Sequence, residues 1–172
     1  KIISNLIKNF DNIIIVGGMG NAMLKNTGIN IGKSVCDDGY KDLVGEILKK
    51  SKDHDCQIYY PLDVVVSKTL DGNGTIKEIN EVSDDEMILD IGPKTITSIR
   101  NVIDKSNTVL WNGPAGYFEN PNFANGTKEI LEIIANKKSK DKIYAVAGGG
   151  ETVAVINKFK KLDSFNFVST AG

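Results

Sequence analysis

The sequence has few of the residues that build a metal centre or a disulfide-stabilised fold. Its 172 residues include two cysteines, Cys36 and Cys56, and one histidine, His54. Two distant cysteines lack the spacing of a metal site and do not make a disulfide framework, so we expect both to be reduced and buried or half-buried. His54 lies in the polar stretch SKDHD, which argues against a catalytic or ligand role.

The sequence also lacks a long hydrophobic run and an excess of either charge. No apolar run approaches the roughly 20 residues that a membrane-spanning helix needs, and there is no signal-peptide pattern. Basic and acidic residues number 21 and 22, and the net charge is −1. Proteins that bind nucleic acid or anionic membranes carry a basic footprint. We therefore expect no nucleic-acid partner, no membrane and a cytoplasmic location.

The two ends of the sequence are unusual. The chain begins in an apolar-periodic segment and stops at FVSTAG, directly after an apolar run, whereas most domains have polar, poorly ordered ends. A length of 172 residues is typical of one domain. We expect residues 1–172 to be a single domain of a longer protein, truncated at both ends.

Short apolar runs alternate with segments of helical periodicity. The runs are rich in β-branched residues and several end in glycine, which is typical of buried strands. Strands are predicted within 12–18, 56–68 (interrupted at Pro61), 86–93, 107–114, 142–150 and 165–170. Helices are predicted over 2–10, 21–26, 40–52, 93–105, 123–137 and 151–160, and a polar hairpin at 72–80.

This alternation predicts an α/β fold: a three-layer, doubly wound sheet, mainly parallel and Rossmann-like in architecture, with a small peripheral β-hairpin. In such sheets, ligands bind outside the carboxyl ends of the strands. Glycines follow almost every predicted strand, at 17–18, 92, 113 and 116, 148–150 and 172. On a parallel sheet they share one edge, where they let a ligand approach the backbone closely. The sequence therefore predicts a binding cleft at that edge.

The stretch GGGETVAV, residues 148–155, has the features of an anion site. Three glycines end a predicted strand and a helix follows, so free backbone N–H groups and the helix dipole favour a bound anion. Glu151 would repel a phosphate unless a divalent cation lay between them, which suggests a nucleotide with Mg²⁺. Two plainer alternatives stay open: a helix start with a flexible lead-in, and a Glu151 that only offsets the helix dipole.

Two other phosphate-binding motifs are not present. GINIGKS, residues 28–34, resembles a P-loop, but its first glycine is one residue too close to the Gly-Lys-Ser triplet, and no buried strand precedes it. GGMGNAM at 17–23 and GGGETVA at 148–154 both lack the third glycine of the dinucleotide fingerprint. The sequence therefore disfavours a P-loop enzyme and an NAD-binding protein.

Five short motifs occur in the order and at the intervals of a known family. They are VGGM (16–19), IGPKT (91–95), LWNGPAGYFE (110–119), GGGET (148–152) and STAG (169–172). Through them, essentially the whole chain resembles the C-terminal, nucleotide-binding domain of phosphoglycerate kinase. The resemblance implies one half of a two-domain hinge kinase. Such an enzyme transfers a phosphoryl group from 1,3-bisphosphoglycerate to ADP, giving 3-phosphoglycerate and ATP, with Mg²⁺.

The resemblance also implies a role for each matching residue. The adenine would lie in an apolar slot lined by Gly17, Gly18, Val35, Leu89 and Tyr117. The ribose would be contacted by Pro114 and Glu119. The phosphates would be bound by Asn112, Gly148, Gly149, Gly150 and Thr152. Gly149, Gly150 and Thr152 would act on the transferring group as the catalytic residues, and Glu151 would hold the Mg²⁺. Trp111, by contrast, is expected in the core.

The sequence departs from the family pattern at several places, which limits how far the family's residue roles and activity carry over to this chain. The family commonly has Asp where Glu151 stands, and Val16 and Ala171 replace common glycines. Its phosphate-contacting lysines lie just upstream of the first helix, and its N-terminal domain, which binds the phosphoglycerate, lies outside this sequence. We therefore expect a monomer that binds ADP or ATP weakly and has no kinase activity alone. The alternative is a non-catalytic nucleotide- or phosphate-binding module.

Overall fold

The computed structural model describes residues 7–37 and 39–170. Within these ranges the helices are α1 (Gly17–Asn26), α2 (Tyr40–Asp53), α3 (Pro93–Lys105), α4 (Asn125–Lys138) and α5 (Gly150–Lys158). The strands are β1 (Asn12–Ile14), β2 (Gln57–Tyr59), β3 (Asp63–Ser67), β4 (Thr75–Glu78), β5 (Met87–Ile91), β6 (Thr108–Asn112), β7 (Tyr144–Gly148) and β8 (Phe167–Ser169). Short 3₁₀ turns lie at Ile7–Asn9, Ile79–Glu81, Pro121–Phe123 and Leu162–Ser164.

The strands form three short sheets, of which two are parallel. β1 pairs with β2, with Ile13 opposite Ile58. β6, β7 and β8 pair in that order, with Leu110 opposite Val146 and Val146 opposite Phe167. β3 lies between β4 and β5 and is antiparallel to both. The mainly parallel α/β prediction is confirmed. The segment 72–80, predicted as a hairpin, contains one strand, β4, which pairs with β3. β3 and β5 depart from the expectation because they are antiparallel partners and do not join the parallel strands.

The start of α1 differs from the prediction of a strand over 12–18 and a helix from residue 21. β1 ends at Ile14, and α1 begins at Gly17, where φ is +62°. Side chains are strained in this left-handed region, so the glycine lets the chain turn directly from strand into helix. The glycine pair therefore begins a helix. Most of the helix predicted over 2–10 lies outside the described residues, which contain a 3₁₀ turn at Ile7–Asn9.

Helix α3 shows how local sequence rules position an element. Pro93 is its first residue, where the missing N–H costs nothing because that group has no intrahelical partner. Ile96, Ile99 and Ile103 recur at helical spacing and are buried. Burial of each isoleucine stabilises the fold by roughly 1.5–3 kcal/mol relative to an exposed side chain.

The two parallel sheets have separate hydrophobic cores. The amino-side core, around β1, α1 and α2, comprises Ile7, Ile15, Ala22, Met23, Val44, Ile47 and Cys56. The carboxyl-side core lies around β6, β7 and α3–α5 and contains Trp111 and Phe165, whose ring centroids are 6.1 Å apart. Trp111 is thus a core residue, as expected, and Cys56 is buried while Cys36 is half-buried. In the described part of the chain, no helix has the length and apolar character that crossing a membrane requires.

Candidate functional site

A cavity of about 550 Å³ lies at the carboxyl ends of β1 and β6. This volume falls in the range of roughly 300–1,000 Å³ that is typical of small-molecule sites. The cavity is bounded by the residues after β1, the start of α1, the middle of β5 and the loop after β6. It thus lies at the sheet edge where the sequence predicts a ligand.

One side of the cavity is apolar. Val35 is 79% exposed, Leu70 49% and Tyr117 37%, and all three line the cavity together with the buried Leu89. Asn21 holds this side in place, because its side-chain amide donates to the Val35 carbonyl at 3.0 Å. Apolar side chains that remain exposed beside a cavity are available to cover a flat apolar ligand group.

The loop after β6, residues 113–117, is held by hydrogen bonds to three other elements. Gly113 N–H donates to the Thr152 hydroxyl at 2.7 Å, which ties the loop to α5. Ala115 N–H donates to the hydroxyl of Thr127 in α4 at 3.0 Å. Tyr117 N–H donates to the carbonyl of Leu89 in β5 at 2.7 Å. The loop is therefore a fixed wall of the cavity, and three of its N–H groups are already paired.

Two glycines near this loop are required by close packing. A Cβ on Gly116 would lie 2.4 Å from the Leu89 carbonyl oxygen. Gly149 has φ +90°, and a Cβ there would lie 2.6 Å from Asn112 Oδ1. Gly92 was expected to face the ligand cleft, but its neighbour is Asp63. A Cβ on Gly92 would lie 2.3 Å from Asp63 Cγ. That glycine therefore serves packing at the start of α3 and not the cavity, and Gly172 lies outside the described residues.

Two helices begin beside the cavity with no side-chain cap. α1 follows Val16 and α5 follows Gly149, and neither residue caps its helix through a side chain. In α5 the first intrahelical bond runs from Val153 N–H to the Gly149 carbonyl at 3.1 Å, so the N–H groups before Val153 have no partner within the helix. Glu151, in the first turn of α5, is exposed and lines the cavity. The start of α5 can therefore offer N–H groups and one carboxylate to a ligand.

Asp90 is a buried carboxylate that lines the same cavity. Its Oδ1 accepts from Ile91 N–H and its Oδ2 from Gly126 N–H, both at 2.8 Å. Burial raises the pKa of Asp90 to about 6, although the two N–H donors favour the ionised form and oppose this shift. Asp90 thus joins β5 to the start of α4 beneath the loop 113–117. Asp90 was not among the predicted site residues, although an Asp inside the apolar run MILDI was a signal.

The predicted site residues divide into two groups. Those that line the cavity are Gly17, Gly18, Val35, Leu89, Asn112, Pro114, Tyr117 and Glu151. Those outside its lining are Glu119, Gly148, Gly149, Gly150 and Thr152. Thr152 is fully buried and its hydroxyl accepts from Gly113, so its observed contact is with the loop. The ligand roles assigned to both groups stay predictions. Met19, Tyr40, Pro61 and Leu70 line the cavity and were not foreseen.

The charges around the cavity bear on which ion it can accept. Across the described residues, no group of three or more His, Cys, Asp or Glu side chains is placed to hold a metal ion. Glu151 is a single exposed carboxylate, which suits Mg²⁺, because this ion is held by one or two carboxylates together with substrate phosphates and water. None of the described lining residues is Lys or Arg. Positive charge for a bound phosphate must therefore come from the metal or from elsewhere.

These features define the class of protein. Mainly parallel strands, helices that begin at glycines after them and a cavity at the strand carboxyl ends are those of a doubly wound α/β domain with a ligand site at its sheet edge. A family model described as phosphoglycerate kinase matches residues 1–172. The chain belongs to the phosphoglycerate kinase family.

Individual relatives agree with this assignment. The chain is 43% identical to phosphoglycerate kinase of Francisella philomiragia, over all of this chain and 43% of that protein. It is 40% identical to phosphoglycerate kinase of Zymomonas mobilis, over 99% of this chain and 44% of that protein. The solved structure of phosphoglycerate kinase from Coxiella burnetii superimposes with a TM-score of 0.92 at 35% identity, over 99% of this chain and 44% of that one. The chain thus spans less than half the length of the curated relatives it matches.

Proposed function

We propose that the chain supplies the nucleotide-binding half of a glycolytic phosphoglycerate kinase. The whole enzyme would transfer a phosphoryl group reversibly between 1,3-bisphosphoglycerate and ADP, giving 3-phosphoglycerate and ATP. The observation that carries the proposal is the cavity itself, which has an apolar side next to a side with an open helix start and a carboxylate. A nucleoside diphosphate has the same division between its base and its phosphates.

The apolar side fits the adenosine. The base would pack between the start of α1, at Gly17 and Gly18, and the side chains of Val35 and Tyr117, all of which line the cavity. Contact with such walls depends on burial of apolar area more than on hydrogen bonds. Pro114 lines the cavity where the ribose would follow, and Glu119, five residues further on, would accept from the ribose hydroxyls.

The polar side fits the phosphates. Asn112 is the last residue of β6, and the N–H groups of Gly150 to Thr152 have no partner within α5, at a helix start where the dipole favours an anion. Mg²⁺, held by Glu151 and the phosphates, would neutralise charge on the transferring group. Thr152 would contribute by fixing Gly113, whose N–H it accepts, in addition to any contact of its own hydroxyl with the ligand.

The chain alone would hold nucleotide without catalysing transfer. Phosphoryl transfer depends on positioning the two substrates in line and on neutralising charge, and none of the described cavity residues is basic. The phosphoglycerate and further positive charge would come from the remainder of a longer protein, whose closure over this domain would exclude water. We propose that residues 1–172 act as one nucleotide-binding domain, monomeric and cytoplasmic.

Calorimetric titration of the chain with ADP tests the binding, with and without Mg²⁺. We expect measurable, weak binding that is tighter with Mg²⁺. Glu119→Ala should weaken binding by about 1–3 kcal/mol because a charged hydrogen bond to the ribose is lost. Glu129→Ala is the matched control, since Glu129 lies in α4, pairs with Arg100 and does not line the cavity. Equal effects of the two substitutions, or no ADP binding, would contradict the proposal.

An activity assay separates the enzyme proposal from a non-catalytic binding module. The chain alone should give no turnover of 3-phosphoglycerate with ATP. Addition of the unmatched part of the F. philomiragia enzyme, as a separate polypeptide, should restore some turnover if the chain is half of a kinase. Binding of ADP without turnover in the mixture would favour the module instead.

A further inference from the structure

The chain contains three Asn–Gly dipeptides, and they lie in three different surroundings. They are Asn73–Gly74 in the turn between β3 and β4, Asn112–Gly113 at the end of β6 and Asn125–Gly126 at the start of α4. All three asparagines are exposed. Asparagine is most prone to deamidation when glycine follows it, because glycine has no side chain to hinder attack by its own backbone nitrogen on the asparagine amide. The state of the three glycine nitrogens therefore decides which asparagine reacts in the folded chain.

Deamidation has two steps and needs water as its one co-reactant. The glycine nitrogen bonds to the asparagine Cγ while the Cγ–Nδ2 bond breaks, and the proton of the glycine nitrogen leaves with the amide as ammonia. The product is a five-membered succinimide. Water opens this ring at Cγ to give aspartate, or at the backbone carbonyl to give isoaspartate, in which the main chain runs through Cβ and Cγ. Either product carries a carboxylate in place of the neutral amide.

At Asn112–Gly113 the attacking nitrogen is engaged. The Gly113 N–H donates to the Thr152 hydroxyl at 2.7 Å. Deamidation requires this nitrogen to lose its proton and to turn toward the Asn112 side chain, so the hydrogen bond has to break first. A hydrogen bond of ordinary strength corresponds to about a tenfold change in an equilibrium. Thr152 should therefore slow deamidation of Asn112 by about that factor.

Asn125–Gly126 is held in a similar way by a different acceptor. The Gly126 N–H donates to Asp90 Oδ2 at 2.8 Å, and Gly126 is buried. A Cβ on Gly126 would lie 2.3 Å from Asp90 Oδ1, which shows how closely the glycine packs against this carboxyl. The Gly126 nitrogen can therefore reach the Asn125 side chain only when the start of α4 opens.

Asn73–Gly74 lacks this protection. Within residues 7–37 and 39–170, the Gly74 N–H donates to no acceptor and the Asn73 side chain makes no hydrogen bond. The dipeptide belongs to neither neighbouring strand, because β3 ends at Ser67 and β4 begins at Thr75. The Gly74 nitrogen can therefore approach the Asn73 side chain without the loss of a hydrogen bond.

We propose that Asn73 is a site of spontaneous deamidation in the folded protein, whereas Asn112 and Asn125 keep their amides. The fold itself retains the reactive dipeptide, because position 74 requires glycine. Gly74 has a φ of +75°, and a Cβ there would lie 2.8 Å from Val65 Cγ1. A larger residue after Asn73 would hinder the reaction, but the packing of this turn excludes it.

Isoaspartate at position 73 would alter a turn that is attached to the cavity wall. The side-chain amide of Asn120 donates to the Leu70 carbonyl at 2.8 Å, and that of Asn122 donates to the Gly72 carbonyl at 2.9 Å. Isoaspartate lengthens the main chain by one carbon, so the turn has to shift relative to these two amides. Leu70 lines the ligand cavity. Under the proposed function, on which this consequence rests, ADP affinity of the isoaspartate form should fall roughly threefold through lost apolar contact.

The test follows the three dipeptides in one sample. The 172-residue chain is incubated without nucleotide at mildly alkaline pH, where the glycine nitrogen loses its proton more readily, and its tryptic peptides are analysed by mass spectrometry. Conversion of the amide to a carboxyl raises the peptide mass, and fragmentation assigns the change to one asparagine. We expect Asn73 to react at least about tenfold faster than Asn112 and Asn125. Equal rates, or a faster reaction at either of the other two, would overturn the proposal.

Two controls accompany this measurement. In urea the three dipeptides should react at similar rates, because the hydrogen bonds and packing are lost while glycine still follows each asparagine. A preference for Asn73 that persisted in urea would show that local sequence decides the rate, and the proposal would be wrong. Asn73→Gln should abolish the mass change in this turn, since attack on the longer side chain has to form a six-membered ring and is slower. The mass is read without nucleotide, so failure of ADP to bind would not affect the result.

A pair of variants tests the protection of Asn112. Thr152→Val removes the acceptor of the Gly113 N–H and keeps the shape of the side chain, so Asn112 should deamidate about tenfold faster. Thr127→Val is the matched control, because the Thr127 hydroxyl holds the same loop through Ala115. An equal rise at Asn112 in both variants, or no rise in Thr152→Val, would contradict protection by this hydrogen bond. If either variant does not fold, the comparison of the wild type in buffer and in urea still decides the proposal.

Discussion

The two helices that begin beside the cavity, α1 and α5, start with similar backbone geometry but have different neighbours. α1 follows β1, and α5 follows β7; each is preceded or begun by a glycine with positive φ, Gly17 at +62° and Gly149 at +90°. Neither helix has a side-chain cap. The first turn of α1 has no acidic residue, whereas the first turn of α5 has Glu151.

The neighbours of each helix start determine what it can bind. The start of α1 lies beside the Pro114 carbonyl and shares the cavity with the apolar side chains of Val35 and Tyr117. Gly149 lies against the Asn112 side chain, so the start of α5 faces an amide and a carboxylate. An open helix start is therefore not by itself a phosphate site. Under the proposed function, the start of α1 would face the base and the start of α5 would face phosphate and metal.

The largest expected effect comes from Asp90, which supports the loop shared by both walls. Its folded-state pKa of about 6 is above the ordinary value of 3.8, so the folded state binds the proton more tightly than the unfolded state. Its contribution to stability is complete below about pH 4 and is lost as the pH rises through 6. The free energy of unfolding of the wild type, minus that of Asp90→Asn, should fall by roughly 2 kcal/mol from pH 4 to pH 7.

This prediction is checked by urea unfolding at several pH values. The difference between the two proteins isolates Asp90 from carboxyls whose pKa values are lowered, such as Glu86 beside Lys77, because those contribute to both proteins equally. A difference that stays constant from pH 4 to pH 7 would show that Asp90 does not titrate in this range.

The next effect concerns the glycine at the start of α5. Gly149→Ala places a Cβ 2.6 Å from Asn112 Oδ1 at a φ of +90°, and such backbone strain costs about 1–3 kcal/mol. We expect lower stability and weaker ADP binding, since Asn112 must move. Gly150→Ala is the matched control, because nothing lies within 4 Å of its Cβ position. The measurements are the melting temperature and the calorimetric affinity, and equal losses in both variants would contradict the packing argument.

The parallel change in α1 sharpens the comparison. Gly17 has a φ of +62°, and an alanine there would place its Cβ 3.2 Å from the Pro114 carbonyl oxygen. This contact is milder than the one at Gly149. It should therefore cost less than Gly149→Ala in stability, and its effect on ADP affinity should be independent of Mg²⁺. Gly18→Ala is its control, because its Cβ position is open.

A smaller effect is expected at the carboxylate that distinguishes the two helix starts. Glu151→Gln keeps the size of the side chain and removes its charge, and Glu151 is exposed, so stability should change little. With Mg²⁺, ADP affinity should fall about tenfold, or about 1.4 kcal/mol. With a chelator present, affinity should be unchanged or slightly improved, because a repelling charge has been removed. A loss of equal size under both conditions would show that Glu151 does not act through the metal.

The sequence predicts most of the fold because its signals are local. Alternating β-branched runs and amphipathic helices indicate the parallel strands, and Pro93 with three spaced isoleucines predicts α3 within a residue. The antiparallel pairing of β5 was not predictable in this way, because its run MILDI resembles any buried strand. Which strands become neighbours is decided by long-range packing, which periodicity does not report.

The site could be predicted in part for the same reason. Glycines at strand ends and the motif around Trp111 indicate the sheet edge and most of the cavity wall. Leu70 was missed because it lies in a distant turn, where the side-chain amide of Asn120 donates to its carbonyl at 2.8 Å and so keeps it near the loop after β6. The ligand role expected of Thr152 stays a prediction, and the sequence did not indicate that its hydroxyl accepts from Gly113 N–H. Such partners are set by tertiary contacts that a single sequence does not contain.

The smallest effect is expected at Val35, on the apolar wall. Its side chain is 79% exposed, so Val35→Ser should leave the melting temperature unchanged. If a bound base covers this side chain, the loss of apolar contact should weaken ADP binding by about 1 kcal/mol, or roughly fivefold. Ile76→Ser is the matched control, because Ile76 is 61% exposed on β4 and does not line the cavity. The loss at Val35 should be the same with Mg²⁺ and with a chelator, in contrast to Glu151→Gln. If the effect of Val35→Ser on ADP affinity depended on Mg²⁺, the division between an apolar base wall and a polar phosphate wall would not hold.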